Sequence, residues 1–435
     1  MTGRPAPNPA PRLGLALSGG GDSTALLLAL RAAAPDLTLY AYIVDHALRP
    51  ESAEEARSTA AFAEKLGAQV RVLQWDAPRP GQGRARTARH KLLAQACRRD
   101  GVSTLCLAHT LDDRIETLRM RASRAGPQVS LAGPGPLDPS PVWPEGRGLG
   151  IARPFLDLTR DTLRGFLQKS GADWIEDPSN ADPAYERVRL RQAPISTSAA
   201  QSLLERSDAA RRARAVEDAA ALALIKRGAR LTSWGGAILD PNAFAPDGET
   251  SETAGAARAF QTLILAVSGR QAAPTPALLR AGLDALRRGQ AWTGAGALLT
   301  PAGVLGRDPG AAGRADGGAT PVLKIEAGEA GVFDGRFEIT GPARVEMLDH
   351  SRPPGVDLRA VPGPFRATLP HDAASGVVLG HGSHLTGGET RLLCEARIAA
   401  GLVALKASAW FDGVFAEARA CAALAKPQAR SNIRS

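Results

Sequence analysis

The chain has little of what staples small folds or holds soft metals. Its 435 residues include four cysteines, Cys97, Cys106, Cys394 and Cys421, and no C-x-x-C pair. That argues against a disulfide scaffold, a cysteine-rich zinc site and an iron–sulfur cradle. Long apolar runs are also missing, and none approaches the roughly 18 residues that a membrane-spanning helix needs. The opening stretch MTGRPAPNPAPRLG has four prolines before Arg12 and no apolar core, so no secretory leader is expected there. The 46 glycines and 32 prolines make 18% of the chain. That is below the roughly 25–30% of low-complexity chains, so wholesale disorder is not expected. A soluble, cytoplasmic, globular chain is expected, with no membrane partner. At roughly 100–200 residues per domain the length predicts two to four domains.

Lysine is scarce as well. Only seven of the 53 basic residues are Lys and 46 are Arg, and the net charge is +9. Arginine binds phosphate bidentately and stacks on bases, which suits a polyanionic partner. A GC-rich coding bias would also favour Arg over Lys, but it accounts less well for the positive excess.

The first half alternates strand and helix patterns. Apolar runs at 13–17, 37–44, 70–75 and 102–108 read as strands. Residues 24–34, 51–66 and 85–99 read as helices, and another helix starts near Asp112. Gly67 suits the position just past a helix end. This alternation implies βαβ units and a parallel sheet covered on both faces. Residues 126–150 are dense in Gly and Pro and read as a loop. A helix follows with Thr159 as its N-cap. From Pro194 to about Gly289 the pattern is helical and rich in Ala and Arg, and 307–320 reads as a flexible linker. Alternating stretches at 322–325, 332–339 and 402–407 suggest a small, partly β C-terminal domain.

Four stretches carry chemistry. Ser18-Gly19-Gly20-Gly21-Asp22-Ser23 follows a strand and opens a helix. Glycines permit a tight turn and close approach to an anion, and the helix N-terminus favours phosphate. The stretch is neither a Walker A loop nor G-x-G-x-x-G. Asp45, His46 and Arg49 arrive together after the second strand, at the edge where open α/β sheets bind ligands. After the fourth strand come His109, Asp112, Asp113 and Glu116. Asp112 and Glu116 are four apart and share a helix face. These carboxylates suit Mg²⁺ beside phosphates or a substrate ammonium, or simply complement a helix dipole. The fourth stretch holds Asn180, Arg187, Arg189 and Arg191, which read as a clamp on a nucleic-acid backbone or as a solvated basic stretch.

Taken in order, SGGGDS (18–23), VDHALRPES (44–52), ARTARHKLL (85–93), LAHTLDDRIET (107–117), RPFL (153–156) and EDPSNADPAYERVRLR (176–191) resemble the tRNA(Ile)-lysidine synthetase branch of the PP-loop, or N-type ATP pyrophosphatase, family. The likeness covers about residues 13–191. It implies an α/β fold: an open, Rossmann-like parallel sheet with helices on both faces, then a helical segment and a small partly β domain. The expected divisions are a disordered tail (1–12), a PP-loop catalytic domain (13–193), a helical tRNA-binding domain (194–306), a linker (307–320) and an α+β domain (321–435).

The implied reaction joins free L-lysine to C2 of the wobble cytidine in a CAU-anticodon isoleucine tRNA, through an adenylated base. ATP and Mg²⁺ are the implied cofactors, and the oligomeric state is left open. Ser18, Gly19, Gly20, Gly21, Asp22 and Ser23 would bind ATP, and Asp22 and Asp113 would hold Mg²⁺. Asp45, Asp112, Asp113, Glu116 and His109 are the implied catalytic groups, with His109 and His46 as proton acceptors. His46, Arg49, Arg89, Arg153, Asn180, Arg187 and Arg191 would bind substrate or tRNA. The alternatives are a PP-loop cytidine 2-thiolase, disfavoured by the cysteine usage, and a non-catalytic tRNA-binding relative.

Overall fold

The computed structural model describes residues 11–45, 52–75, 82–123, 131–176, 186–244, 251–312, 322–348, 357–379, 389–402 and 409–423. Contacts divide the chain into two units, Met1–Arg214 with Ala404–Ser435, and Ala215–Val403.

The first unit is built on six strands: β1 (Arg12–Ala16), β2 (Thr38–Asp45), β3 (Gln69–Gln74), β4 (Thr104–Cys106), β5 (Leu137–Pro139) and β6 (Gly150–Ala152). Its helices are α1 (Gly21–Ala33), α2 (Ser52–Lys65), α3 (Gln82–Arg99), α4 (Leu111–Ser123), α5 (Arg160–Ser170), α6 (Glu186–Gln192) and the part of α7 (Thr197–Gly228) up to Arg214. The sheet order is β3-β2-β1-β4-β6-β5. All neighbours pair parallel except β5, which runs antiparallel on the edge.

Period-two alternation explains the two-sided burial. Leu13, Leu15, Leu39, Ala41 and Ile43 enter one core with Leu26, Leu30 and Phe155. Tyr40 and Tyr42 enter the other with Leu93, Cys97, Leu105 and Ile151. The order reverses between β1 and β4, so the loops after these strands open a crevice at the sheet's carboxyl edge. Thr159 caps α5 by accepting from the N–H of Thr162 at 3.2 Å.

Two expectations need correction. Residues 126–150 are not all loop, because β5 lies within them and β6 begins at Gly150. Strands of three residues are too short to show alternation. The C-terminal helix Ala409–Ala423 does not belong with the residues before it. It packs on α1 and α5, and Phe411, Val414, Phe415, Ala418 and Ala422 join the first unit's core. Nothing in its own pattern specifies which surface it covers.

The second unit carries the expected helices Ser251–Ser268 and Pro276–Arg287, together with Cys394–Leu402. It also carries a five-stranded antiparallel sheet, in the order Ala229–Leu231, Ala237–Leu239, Val304–Arg307, Ala297–Leu299 and Trp292–Gly294. Two three-stranded antiparallel sheets complete it. Contacts break at 214/215 and 403/404, while the expected domain divisions lie at 193/194 and around 307–320. Residues 313–321 of the expected linker lie outside the described residues, as does the tail to residue 10. Residues 332–339 form parts of two strands rather than one, because Asp334 (φ 48°) and Gly335 (φ 65°) turn them into a hairpin. Asp-Gly is the pair such a turn favours. Leu402 ends a helix and not a strand, and 403–408 lie outside the described residues.

Phe415→Ala should lower the unfolding free energy of the first unit by about 3–5 kcal/mol. Thermal or urea unfolding checks this, and an unchanged midpoint would remove the C-terminal helix from that core.

Candidate functional site

The site begins at the turn from β1 into α1. Gly19 sits at φ +78°, and a Cβ there would fall 2.5 Å from Thr59 Oγ1 and 2.8 Å from Ile175 Cδ1. Only glycine has both the dihedral and the space. The turn is tied by its own serine. The Ser18 N–H donates to Ser23 Oγ at 3.2 Å, and Ser23 Oγ donates to the Gly20 carbonyl at 2.9 Å. The Ile175 N–H closes the outside by donating to the Gly19 carbonyl at 2.9 Å. Among the described residues no side chain caps the N-terminus of α1, whose N-cap is Gly20. Its first N–H groups lack helical partners and carry partial positive charge, which is the physical requirement for holding phosphate.

Beside this turn, α1 and α4 bring four carboxylates to one arginine at the start of α5, which sequence reasoning missed. The backbone N–H of Arg160 donates to Asp112 Oδ2 at 2.8 Å. Its guanidinium donates to Asp22 Oδ2 at 3.2 Å, to Glu116 Oε1 at 3.1 Å and to Asp113 Oδ1. Arg191 Nε donates to the same Glu116 oxygen at 2.5 Å, and its Nη2 lies 3.6 Å from Asp113 Oδ1. Asp113 Oδ2 accepts from the N–H and hydroxyl of Thr110 at 2.9 and 3.0 Å. Two guanidinium groups thus face four carboxylates, and the cluster keeps net negative charge. Burial, reinforced by Asp113 and Asp112, holds the Asp22 carboxyl above the usual range despite Arg160. For Asp113 burial also pushes upward, but Arg160, His109 and Thr110 outweigh it and hold it below that range. Burial works against the charge of Arg160, yet Asp113, Glu116 and Asp22 raise its pKa.

The adjacent strands β4 and β6 supply a second pair. Cys106 and Ala152 are register partners. Three residues beyond Cys106 comes His109, and directly after Ala152 comes Arg153, whose Nε donates to His109 Nδ1 at 3.2 Å. Burial, with Arg153, Arg86 and Arg89 nearby and only Asp113 opposing, pushes His109 down to about 3. His90 on α3 is pushed down to about 4 by burial and by Arg89, Arg86 and Arg153, and its Nε2 is buried without a partner among the described residues.

Most of the expected residues can be placed. Asp22, Asp112, Asp113, Glu116 and Arg191 meet in one cluster, with His109 and Arg153 paired after the neighbouring strands. Asp45 ends β2 and accepts from the Ser52 hydroxyl at 2.8 Å. Arg89 is half-buried on α3 near both histidines. His46, Arg49 and Asn180 lie outside the described residues, as does the side chain of Arg187. The expected three-arginine clamp is not a continuous row. Residues 187–191 are helical, so alternate positions point to opposite sides. Arg191 turns into the carboxylates while Arg189 is exposed. Arg160 carried no sequence signal, being one of many arginines outside any motif.

The fold and this turn define a PP-loop protein, and a PP-loop domain model matches residues 4–197. The chain is 36% identical to a tRNA(Ile)-lysidine synthase of Rhizobium meliloti, over 78% of this chain and 76% of that protein. It is 36% identical to one of Caulobacter vibrioides, over 76% and 75%. With one of Hyphomonas neptunium it shares 43% identity over 41% of this chain and half of that protein. The chain belongs to the tRNA(Ile)-lysidine synthase family.

Two predictions follow from the electrostatics. Arg160→Ala leaves the buried Glu116 and the partly exposed Asp22 and Asp113 with Arg191 as their remaining cation and should cost about 1–3 kcal/mol of stability. Arg160→Lys should recover only part of this, since an ammonium cannot span three carboxylates; full recovery in urea unfolding would refute the bridging role. The depressed histidines make the second. The fold favours their neutral form, so their contribution is complete above pH 6.5 and is lost as pH falls toward about 4 for His90 and about 3 for His109. The loss is about 1.4 kcal/mol per pH unit for each ring. His90→Gln should flatten the slope of unfolding free energy against pH by about that amount between 6.5 and 4, and an unchanged slope would remove His90 from the account.

Proposed function

We propose that this site uses ATP to adenylate O2 of the wobble cytidine in a CAU-anticodon isoleucine tRNA and then passes C2 to free lysine. The observation that carries this reading is the uncapped glycine turn set beside a cluster of four carboxylates and two guanidinium groups. An anion cradle next to a net acidic pocket suits a nucleotide and an ammonium together. Family membership supplies the substrate class.

In the first step the base oxygen attacks the α-phosphorus of ATP. The bond to the β-phosphate breaks and pyrophosphate leaves. The N–H groups of the Ser18–Ser23 turn hold the phosphates in place before charge builds on them. In the second step the lysine ε-amine attacks C2, the C–O bond breaks and AMP leaves. The amine has a reference pKa near 10.4, so about one molecule in a few thousand is neutral at pH 7. The carboxylates gather the ammonium, and the proton released passes to one of them or to water.

Mg²⁺ would neutralise charge on the phosphates when bound. Among the described residues no group of three or more His, Cys, Asp or Glu side chains is arranged to ligate a metal. The ion needs only one or two carboxylates when phosphate oxygens and water complete its shell. Asp22 fits, because only its Oδ2 is engaged, by Arg160. Asp113 fits less well, with both oxygens engaged by Thr110 and Arg160.

The basic residues of the second unit are proposed to hold the tRNA body. Deleting everything beyond residue 310 would not isolate that role, because it also strips a helix from the first unit's core. Asp22→Ala should abolish tRNA-dependent pyrophosphate release and lysidine formation while tRNA binding stays within a few-fold. Nucleoside analysis of the product tRNA checks this, and undiminished lysidine would refute the role of Asp22. A sulfur-containing base in its place would favour the thiolase reading.

A further inference from the structure

His109 is anchored by a chain of contacts that runs away from the reaction site. Arg153 donates through Nε to His109 Nδ1 at 3.2 Å and through Nη1 to Asp138 Oδ2 at 2.7 Å and to the Gly135 carbonyl at 2.8 Å. The Gly135 N–H donates to the same Asp138 oxygen at 2.8 Å. The other oxygen, Oδ1, accepts from Arg211 Nη2 on α7 at 3.1 Å. Arg211 Nη1 donates to the Gly133 carbonyl at 3.0 Å. A Cβ on Gly135 would fall 1.8 Å from Arg211 Nη2, so only glycine leaves room for this guanidinium. Arg153 is 8% exposed, and its hydrogen bonds to Asp138, Gly135 and His109 leave it little freedom to turn.

The chemistry of the donor then settles the ring. A guanidinium only donates. Nδ1 must therefore be the unprotonated nitrogen, and the neutral ring carries its hydrogen on Nε2. The ring is half-buried, and Nε2 has no partner among the described residues.

We infer that Arg211 and Asp138 are positioning residues which, through Arg153, lock His109 as a neutral ring with its proton on Nε2, so that His109 serves the reaction as a hydrogen-bond donor and not as a proton acceptor. The inference rests on the ligase reading for the identity of the reaction, but not for the state of the ring. A neutral N–H donor suits an oxygen that gains negative charge, such as one on the α-phosphate, because it stabilises that charge without surrendering a proton. The proton-acceptor role expected for His109 from the sequence is thereby replaced.

The test labels the histidine rings of the full chain with ¹⁵N. The His109 signals are identified as those missing from His109→Gln. In the wild-type chain Nδ1 should appear unprotonated and Nε2 protonated. Asp138→Asn and Arg211→Met should each give mixed tautomers and lower kcat by about tenfold to a hundredfold, with KM for ATP within about twofold. If Asp138→Asn does not fold, Arg211→Met carries the test, since Arg211 is partly exposed. The amide of His109→Gln can donate but cannot take up a proton, so this variant should keep at least about ten times the activity of His109→Ala. A protonated Nδ1 in the wild-type chain would overturn the inference. So would Gln and Ala variants of equal activity, or positioning variants with unchanged tautomer and kcat. A wild-type chain that releases no pyrophosphate counts against the ligase reading, and the ring signals still decide the tautomer.

Discussion

The guanidinium of Arg160 is the contact on which the site depends. Carboxylates from the start of α1 and from two turns of α4 converge on it, and its own backbone N–H is held by a fourth. Without a fixed cation between them, Asp22, Asp113 and Glu116 would repel one another across a poorly solvated space. With it, the helix after β1 and the helix after β4 share one electrostatic centre. Arg191 adds a second cation but not enough to neutralise the group. The residual negative charge is the feature on which the proposed recruitment of an ammonium rests.

A second arginine network centres on Asp138 and reaches His109 through Arg153. Asp138 receives one guanidinium from the segment after β6 and another from α7. The Gly- and Pro-rich stretch around it is held both by the pairing of β5 with β6 and by those charges. The two networks meet near Asp113 and His109, where burial depresses the ring and the carboxylate opposes that effect. Arginine suits both places because its planar fork reaches two or three oxygens at once, which an ammonium does not. The arginine preference of this chain therefore has structural use inside the first unit, besides whatever it offers a polyanion outside it.

The glycine turn shows how local and tertiary causes combine. Gly19 is required by its own dihedral, a local matter. It is required again by Thr59 of α2 and by Ile175, residues 40 and 156 positions further along the chain. The Ile175 N–H bonded to the Gly19 carbonyl makes the stretch before the fourth motif part of the turn's outer wall. The motif is thus a contact point for three segments as well as a loop.

Much of the first unit could be read directly from residues. Alternating apolar runs and Gly-punctuated helices are local signals, and they specified the parallel sheet, the phosphate turn after β1 and the acidic cluster after β4. Strands β5 and β6 escaped because three residues cannot establish a period. Arg160, Asp138 and Arg211 escaped because a charged residue's partner is set by packing, and one arginine among many looks like the next. The C-terminal helix was visible as a helix, but its place on α1 and α5 was not, since an apolar face states only that something must cover it. The sequence by itself determined which backbone segments form and which loops carry reactive groups, because those depend on near neighbours. Only the tertiary structure decided which charges neutralise which, because that depends on distances the chain order does not contain.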